Sequence, residues 1–538
     1  MRFILFSFSA LLALMPVSMS AQDVSGDTIP SSDTYFLPSV IQNNPNLSIY
    51  YSALRATGLA DTLEQYIDPT YPGVSYDSTL ACYRNTGRTI YYRTAYEEEN
   101  AIFPDARTFS YTAFVITDSI LAVDYNIRNL EDLRSYAEQQ YPSGAGKPDY
   151  DRESSLNMFM SYHILPFRLI WDQLNTSQPE IVTNHHHLDE LDVEDFYETM
   201  LPHSIMRIST PYKHESYERS SYISSSEIIG IFINRKGTLK DPSNLIEGVQ
   251  IFRNEDYRYE NNALNGIYHY ITKPLVYNNA TKDALNVRMR IMANTLSPDF
   301  INSGARGRLA RSGNYYDRYT VGFLPGFCKN FQWTRDSQFW VRYRDASFGC
   351  YNGDEMTLMG NFDITFRLPA VPKDGLYEIR IPGYSSPFYN ETQNILYYIK
   401  KEGDDFIPCD KPLDINLDLT SPEIGYVKDN NVDTYSYRID NPEIAYEEAK
   451  ELAITDNDKL MRSHGYMKAP DSYGPYDGSM RNDSYFYRKI VCEIYLESGK
   501  DYYLRMRKVS GIDPVAFNYL EIVPFDVYSG ENGPEDRH

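Results

Sequence analysis

The feature that most constrains the fold is a series of short strand-like runs that recurs beyond Gly307, in the second half of the chain. Apolar and polar residues alternate in these runs, and proline and glycine separate them, which is typical of antiparallel sheets. The runs are residues 338–343, 363–368, 377–381, 395–399, 489–496 and 502–509. The pattern predicts a mainly antiparallel β-sandwich or jelly roll over residues 281–530. A helical insertion is predicted near 442–461, with Pro442 at its first position, where no backbone N–H is needed.

Helical and strand patterns alternate in the first half, which predicts an α+β domain over residues 38–280. Apolar residues between Leu47 and Leu54 fall at helical spacing, and Gly58 is expected to end that helix. Helices are also predicted at 129–137, 155–165 and 192–201, and strands at 89–94, 112–116, 204–208, 230–234 and 266–271. The pair Asn265-Gly266 predicts a tight hairpin turn before the last strand, since both residues tolerate positive φ.

Residues 281–296 fit two patterns. A helix would align Leu285 with Met289, whereas a strand would place Arg288 and Arg290 on the face opposite the apolar residues. The strict alternation favours the strand, which we interpret as the start of the second domain.

The N-terminus has the pattern of a secretory signal. An apolar run over residues 3–17 follows one basic residue and precedes small residues that end at Ala21, which predicts a signal over residues 1–21 that is removed on export. The run is short for a membrane span, and no cysteine follows it to carry a lipid, so we expect neither anchor. The protein is therefore expected in the periplasm or at the cell surface, with a flexible leader over 22–37 and an acidic tail over 531–538.

Charge and cysteine content argue against several classes of function. The formal net charge is −23 at pH 7, which opposes nucleic-acid binding, because that relies on basic residues that neutralise phosphates. It opposes binding to anionic membrane surfaces for the same reason. The five cysteines form no Cys-x-x-Cys motif, so we expect neither a zinc site nor a redox pair, and free buried thiols are the preferred interpretation.

Four parts of the first half resemble the fasciclin-like domain family. Residues 46–54 and 57–63 resemble its opening helices, 112–121 its first signature, 162–166 its central Tyr-His motif, and 265–271 with Leu275 its closing strand. They occur in the family's order, although the usual proline of the first signature is Ile116 here and an insertion near 175–197 stretches the spacing. The resemblance implies a fasciclin-like α+β fold for residues 38–280 and a binding function in place of catalysis.

The second half resembles the C-terminal region of large secreted fasciclin-like proteins from gut-type Gram-negative bacteria. The matching segments are residues 352–355, 366–369, 372–380 and 517–524. Within them, the sequence Gly-Leu-Tyr-Glu at 375–378, after a proline, is similar to the way in which galactose-binding-like sandwiches open a core strand. The resemblance implies a jelly-roll or galactose-binding-like sandwich for residues 281–530.

These features together predict a non-catalytic cell-envelope protein that mediates adhesion or binds glycans. The 49 tyrosines mainly indicate a β-rich fold, but they also supply aromatic faces that stack on sugars. The ligand-binding candidates are Tyr384 and Phe388, beside the strand at 377–381. Two alternatives stay open: an envelope structural or assembly protein that binds other proteins, and a carbohydrate-active enzyme, which needs two carboxylates across a cleft. Since the sequence contains no nucleophile-elbow, metalloprotease or phosphate-loop motif, no catalytic residue is proposed, and the expected partner is a glycan or an envelope protein.

Two polar stretches suggest metal binding without making a convincing site. The three residues His185–His187 are consecutive, so on a loop their side chains point in different directions. The run Thr455–Asp458 lacks the glycine and the distant glutamate of a calcium loop. Solvated polar segments are preferred for both, and we expect neither a metal nor a cofactor. The basic cluster at 306–311 is expected on a solvated linker, and His163 in the core.

Overall fold

A computed structural model describes residues 34–73, 104–174, 194–209, 212–214, 226–228, 230–236, 246–252, 261–304, 320–334, 337–343, 354–384, 393–409, 413–415, 419–422, 424–470, 480–510 and 515–529. Across these ranges the protein is a mixed α/β structure with several mostly antiparallel sheets. None of the helices in them has the length and apolarity that crossing a bilayer requires. The strand predicted at 89–94, the stretch His185–His187 and the basic cluster at 306–311 lie outside the described residues.

The first half contains eight of the described helices and ten of the strands. The helices are α1 (Leu37–Gln42), α2 (Ser48–Ala56), α3 (Leu59–Leu63), α4 (Asp118–Asp124), α5 (Leu130–Gln140), α6 (Ser155–Tyr162), α7 (Trp171–Leu174) and α8 (Asn279–Leu285). The strands are β1 (Tyr111–Val115), β2 (Ile164–Leu165), β3 (Glu194–Glu198), β4 (Ile205–Ser209), β5 (Tyr212–His214), β6 (Ser226–Ile228), β7 (Ile231–Ile233), β8 (Val249–Ile251), β9 (Asn262–Ala263) and β10 (Gly266–Tyr270). Asn129 caps α5 by accepting from the N–H groups of Glu131 and Asp132, as the helix prediction requires.

A four-stranded sheet in the order β2-β1-β10-β9 forms the centre of the first half. β1 runs parallel to β10, and all residues of both strands are buried. Gly266 begins β10 because a Cβ at that position would lie 2.6 Å from the carbonyl oxygen of Tyr111. The hairpin predicted before β10 is confirmed, but the predicted reason is wrong, since neither Asn265 nor Gly266 has positive φ. The buried amide of Asn265 instead hydrogen-bonds the backbone of Leu37 and Leu63.

A second sheet, in the order β3-β4-β7-β8, replaces a predicted helix. The helix predicted at 192–201 is wrong, because β3 pairs antiparallel with all of β4. Phe196 and Tyr197 are adjacent residues of β3 and are both buried, which a strand allows because successive side chains point to opposite faces of the sheet. The helical spacing of apolar residues does not decide the structure here, because aromatic residues favour a strand when a partner strand follows closely in sequence. The helix predicted at 155–165 ends at Tyr162, after which β2 joins the central sheet.

The second half is built mainly from strands. They are β11 (Met289–Met292), β12 (Thr320–Phe323), β13 (Phe331–Trp333), β14 (Ser337–Tyr343), β15 (Asp354–Gly360), β16 (Asp363–Arg367), β17 (Gly375–Tyr384), β18 (Gln393–Lys401), β19 (Ile407–Pro408), β20 (Leu413–Ile415), β21 (Tyr466–Lys468), β22 (Phe486–Leu496), β23 (Tyr502–Ser510), β24 (Val515–Ala516) and β25 (Tyr519–Pro524). The helices are α9 (Pro298–Asn302), α10 (Thr434–Asp440), α11 (Tyr446–Ser463) and α12 (Phe525–Tyr528).

These strands form three antiparallel sheets, which confirms the mainly antiparallel prediction. One sheet has five strands in the order β11-β25-β17-β22-β21, and another has four in the order β12-β14-β15-β24. The third has six strands, in the order β13-β16-β23-β18-β19 with β20 paired to β18. Most of their buried apolar side chains belong to the same continuous core as those of the first half, while Met292, Ala469 and Tyr519 form a small separate cluster. The arrangement is compatible with a β-sandwich.

Two boundaries differ from prediction. Residues 281–296 are not a single strand, because Asn278 accepts a hydrogen bond from the Thr281 N–H and caps α8. The predicted alternation holds only from Met289, where β11 pairs with β25. The helix near 442–461 is α11, which begins at Tyr446 and not at Pro442. It begins later because a turn follows α10, a helix that was not predicted.

Tyrosine and cysteine occupy positions that suit a β-rich core. The largest fully buried side chains include seven tyrosines, namely Tyr162, Tyr197, Tyr268, Tyr270, Tyr377, Tyr487 and Tyr519. Much of the tyrosine content therefore serves packing, as the β-rich interpretation predicts. Among the described cysteines, Cys328 is free and buried, as predicted, whereas Cys409 is free but only half-buried.

Candidate functional site

A cavity of about 180 Å³ lies where the turn between β3 and β4 meets the six-stranded sheet. The first half contributes the turn, and the second half contributes the end of β16 and the residue before β23. The cavity is lined by Glu198, Thr199, Leu201, Pro202, His203, Ser204, Arg367 and Asp501. The two halves thus supply acidic, basic and hydroxyl groups to one small space.

The turn that forms one wall is held by its own hydrogen bonds. The hydroxyls of Thr199 and Ser204 lie 2.6 Å apart, and the Leu201 N–H donates to the Thr199 hydroxyl. The Ser204 hydroxyl in turn contacts the Leu201 carbonyl at 2.8 Å. His203 adopts a left-handed conformation with φ of 55°, which histidine tolerates better than most residues. The imidazole is therefore positioned by a rigid turn.

Arg367 connects the turn to the second half. Its guanidinium donates to both carboxylate oxygens of Glu198, at 2.9 Å for Oε1, and to Asp501 Oδ1 at 3.3 Å. The Ala370 N–H also donates to Glu198 Oε1 at 3.0 Å. Burial alone would lower the pKa of Arg367, but the carboxylates of Glu198 and Asp501 raise it above its usual range. Both carboxylate oxygens of Glu198 are thus hydrogen-bonded, in the bidentate geometry that makes arginine–carboxylate pairs strong.

His203 and Asp501 retain hydrogen-bonding capacity. The imidazole Nδ1 lies 3.6 Å from Asp501 Oδ1, which is too long for a hydrogen bond. That nitrogen is buried and has no hydrogen-bond partner among the described residues. Among the described residues, the Asp501 side chain contacts Arg367 and His203 only, in both cases through Oδ1. Both side chains are partly exposed and line the cavity, so a bound molecule could contact them without displacing Arg367 from Glu198.

A second inter-half contact holds the two sides of the protein together. Arg107 of the first half donates to Asp68 at 2.8 Å and to the carbonyl of Phe327 at 2.8 Å. Lys329 of the second half reaches the same carboxylate at 2.8 Å. Burial would raise the pKa of Asp68, but hydrogen bonds from Lys329, Thr70 and Arg107 hold it well below its usual range.

The five-stranded sheet contains a buried charged cluster that the sequence analysis did not identify. Glu521 has no exposed side-chain area and lies 2.7 Å from Arg290, 3.3 Å from Arg380 and 3.4 Å from Arg488. Burial would raise the pKa of Glu521, but the arginines, Arg488 foremost, hold it well below its usual range. Arg290, Glu521 and Arg380 are direct neighbours on adjacent strands. The cluster fixes the strand register, because a one-residue slip would move these charges to the opposite face.

The run predicted as a weak calcium candidate sends its side chains to different partners. On α11, Asp458 pairs with Lys468 at 3.5 Å and with Arg481. Asn457 bonds backbone groups of the preceding segment, and Asp456 accepts from a tyrosine hydroxyl of α10. The described residues contain no group of three or more histidine, cysteine, aspartate or glutamate side chains arranged to hold a metal ion.

The predicted ligand-binding aromatics are only partly within the described residues. Tyr384 is the last residue of β17, where its backbone is in register with Phe486, but its side chain is not among those described. Phe388 lies outside the described residues. His163 is a core histidine, as predicted: it is fully buried, and both ring nitrogens are bonded to backbone groups.

The cavity residues could not be found from local sequence. Glu198, Arg367 and Asp501 come from three distant segments, and no spacing between them forms a recognisable motif. Arg367 lies in residues 366–369, a segment on which the resemblance of the second half rests, and this is the one sequence feature that includes a cavity residue. His203 gave none, since its position depends on the β3–β4 turn and it falls between the helix predicted at 192–201 and the strand predicted at 204–208.

The fold and the cavity define a mixed α/β protein with antiparallel sheets and a small polar cavity between its halves. A scan against models of known protein families finds no match, and a search of the curated proteins finds none either. The resemblance to fasciclin-like domains stays a prediction.

Proposed function

We propose that the chain is an exported, non-catalytic protein of the cell envelope that binds glycans in the cavity between its halves. The observation that carries the proposal is that the partly exposed side chains of His203 and Asp501 lie side by side in that cavity, 3.6 Å apart. Sugar hydroxyls donate and accept hydrogen bonds at once, so they suit a carboxylate beside an imidazole. The cavity is smaller than sites for drug-sized ligands, which suits a single sugar unit or chain end.

The signal-like N-terminus supports export to the periplasm or cell surface. The fasciclin-like resemblance of the first half and the jelly-roll or galactose-binding-like resemblance of the second support an adhesion or glycan-binding role. The antiparallel sheets of the second half are compatible with such a sandwich.

Binding is favoured over glycoside hydrolysis by the state of the two carboxylates. A hydrolase needs one carboxyl group to donate a proton and a second to act as base or nucleophile. In this cavity both oxygens of Glu198 already accept from Arg367, and Oε1 also accepts from the Ala370 N–H. These three hydrogen bonds favour a structural role for Glu198 over a catalytic one, and Asp501 would then have to act alone.

A second candidate function, envelope assembly through protein contacts, is favoured by a different observation. The helices α10 and α11 expose five large apolar side chains, namely Tyr435, Ile439, Tyr446, Leu452 and Leu460. Large apolar side chains exposed along two neighbouring helices would supply the contacts of a protein interface. Pull-down from envelope extracts tests this candidate: a stable protein partner without any glycan signal would favour it over glycan binding.

The cavity is tested with an oligosaccharide that the wild type binds, which is titrated into the purified wild-type protein and into two variants. Asp501→Asn removes the carboxylate charge, and His203→Gly removes the imidazole while tolerating the left-handed backbone. Each is expected to weaken binding at least about tenfold, the effect of losing a hydrogen bond to a charged group. Asp404→Asn, at an exposed aspartate, is the matched control and should bind as the wild type does. Unchanged binding by both cavity variants would contradict the site assignment.

A further inference from the structure

An exposed aromatic surface lies on the five-stranded sheet, away from the cavity residues in sequence. Tyr495 of β22 is 57% exposed and Phe525 of α12 is 47% exposed. The half-buried Leu376 is in register with Tyr495 on the neighbouring strand, so both side chains are on the same face. We call Leu376, Tyr495, Phe525 and Tyr528 the aromatic platform.

The platform is contiguous across three adjacent strands. Pro524, the residue before Phe525, is in register with Tyr377, so Phe525 follows directly beside Leu376. The ring of Tyr528 packs edge-on against that of Phe525, with centroids 5.4 Å apart. The Tyr528 hydroxyl donates to Glu493 at 2.5 Å, and Glu493 precedes Tyr495 by two residues on the same strand face. These contacts hold the rings of Phe525 and Tyr528 beside the strand that carries Tyr495 on the same face as Glu493.

The position of Tyr528 in the platform is also stabilised by Arg462. The guanidinium of Arg462 on α11 lies 5.3 Å from the centroid of the Tyr528 ring, and Arg462 also pairs with Glu378 of β17. A cation at that distance from an aromatic ring attracts it. Tyr528 is therefore fixed between Arg462 and Glu493, which limits the entropy that a ligand would have to remove on binding.

The surroundings of the platform select the class of ligand. Glu493, Asp526 and Asp374 are exposed around it, so an anionic polymer would be repelled. Of the four side chains only Tyr495 and Phe525 are largely exposed, which is a small apolar area beside the roughly 800 Å² that each partner buries in a standard protein interface. Aromatic rings beside carboxylates and a tyrosine hydroxyl suit the apolar faces and the hydroxyls of sugar rings.

We propose that the aromatic platform is a second glycan-binding site, which stacks on the sugar rings of an uncharged polysaccharide chain. The inference rests on the proposed glycan-binding function and extends it from a single sugar unit in the cavity to a polymer on the sheet surface. The two sites share no residue, so each can be removed without the other.

The test is co-sedimentation with insoluble uncharged polysaccharides, using a β-glucan, an α-glucan and a mannan, with soluble polygalacturonate as the anionic comparison in gel retardation. The double variant Tyr495→Ala/Phe525→Ala is expected to lower retention on the bound polysaccharide at least about fivefold, since each aromatic contact contributes separately. Tyr150→Ala, at a 74% exposed tyrosine of the first half, is the control and should be retained as the wild type is. Each variant is checked for an unchanged thermal unfolding midpoint.

The outcomes separate this inference from the proposed function. Retention that falls in the platform variant but persists in Asp501→Asn supports the platform. Equal retention of the platform variant and the wild type overturns it, and so does binding of small glycans in the cavity with no retention on any uncharged polysaccharide. Preference for polygalacturonate, or a protein partner lost with the two rings, also overturns it. Failure of the proposed function itself gives a different result, which is no binding to any glycan, large or small.

Discussion

Lowering the pH from 8 to 5 is expected to destabilise the first half of the protein through two buried histidines, His163 and His269. The Nδ1–H of His163 donates to the Phe159 carbonyl at 2.8 Å, and its Nε2 accepts from the Leu275 N–H at 3.0 Å. A second proton on His163 would turn Nε2 into a donor that faces another donor. His269 is buried in the same way, with Nε2 placed 2.8 Å from the carbonyl oxygen of Leu169.

The magnitude follows from the two pKa values. Burial lowers the pKa of His163 to about 4 and that of His269 to about 4, although one backbone hydrogen bond to each ring acts in the opposite direction. In the unfolded chain a histidine has a pKa of about 6.5. The stability that depends on the neutral rings is therefore complete above pH 6.5 and is lost as the pH falls towards 4. Between pH 8 and pH 5 each ring accounts for a loss of about 2 kcal/mol, or about 4 kcal/mol together.

The assay is urea denaturation followed by circular dichroism at pH 8, 6.5 and 5. Carboxylates with lowered pKa, such as Glu521, lose their contribution mainly below about pH 4.5, and the double variant below separates the histidines from the other titrating groups. In the double variant His163→Gln/His269→Gln, the difference between pH 8 and pH 5 should shrink by most of the 4 kcal/mol, whatever the variant's own stability. His464→Gln, at a half-exposed histidine, is the control. A wild type that loses less than about 1 kcal/mol, or a double variant with the wild-type pH dependence, would refute the reasoning.

Two further predictions concern the architecture. Glu521→Gln leaves three buried arginines around a neutral group and is expected to cost about 3–5 kcal/mol in the free energy of unfolding, measured by chemical denaturation. Glu402→Gln, at an exposed glutamate, should change the free energy of unfolding little. Equal effects of the two substitutions would contradict the importance of the cluster. Gly266→Ala places a Cβ 2.6 Å from the Tyr111 carbonyl and should lower the thermal midpoint markedly, whereas Gly499→Ala, which meets nothing within 4 Å, should not; similar midpoints for both would show that β1 can shift to make room.

Much of the secondary structure could be predicted because it depends on local pattern. The strands at β16, β17, β22 and β23 follow from alternation with proline and glycine between runs, and α5 follows from its asparagine cap. The strand β3 could not be predicted in this way, because its helical spacing is outweighed by pairing with β4. The turn at Asn265 was placed correctly for a wrong reason, since the buried contacts of its amide are made with segments far away in the chain.

The candidate sites were largely hidden for the same physical reason. The cavity brings together Glu198, Arg367 and Asp501, whose contacts depend on how the two halves pack. The platform depends on the register of β17 with β22 and β25, which no single segment encodes. The interpretation of exposed aromatic residues as sugar contacts came from the sequence, but the residues it named, Tyr384 and Phe388, are not those of the platform.

The central claim is that the protein binds glycans through the cavity between its halves, and the most direct measurement is a glycan array probed with the labelled protein. We predict that the wild type binds at least one uncharged glycan, that Asp501→Asn loses most of that signal, and that Asp404→Asn retains it. An array on which the wild type binds no glycan would contradict the claim.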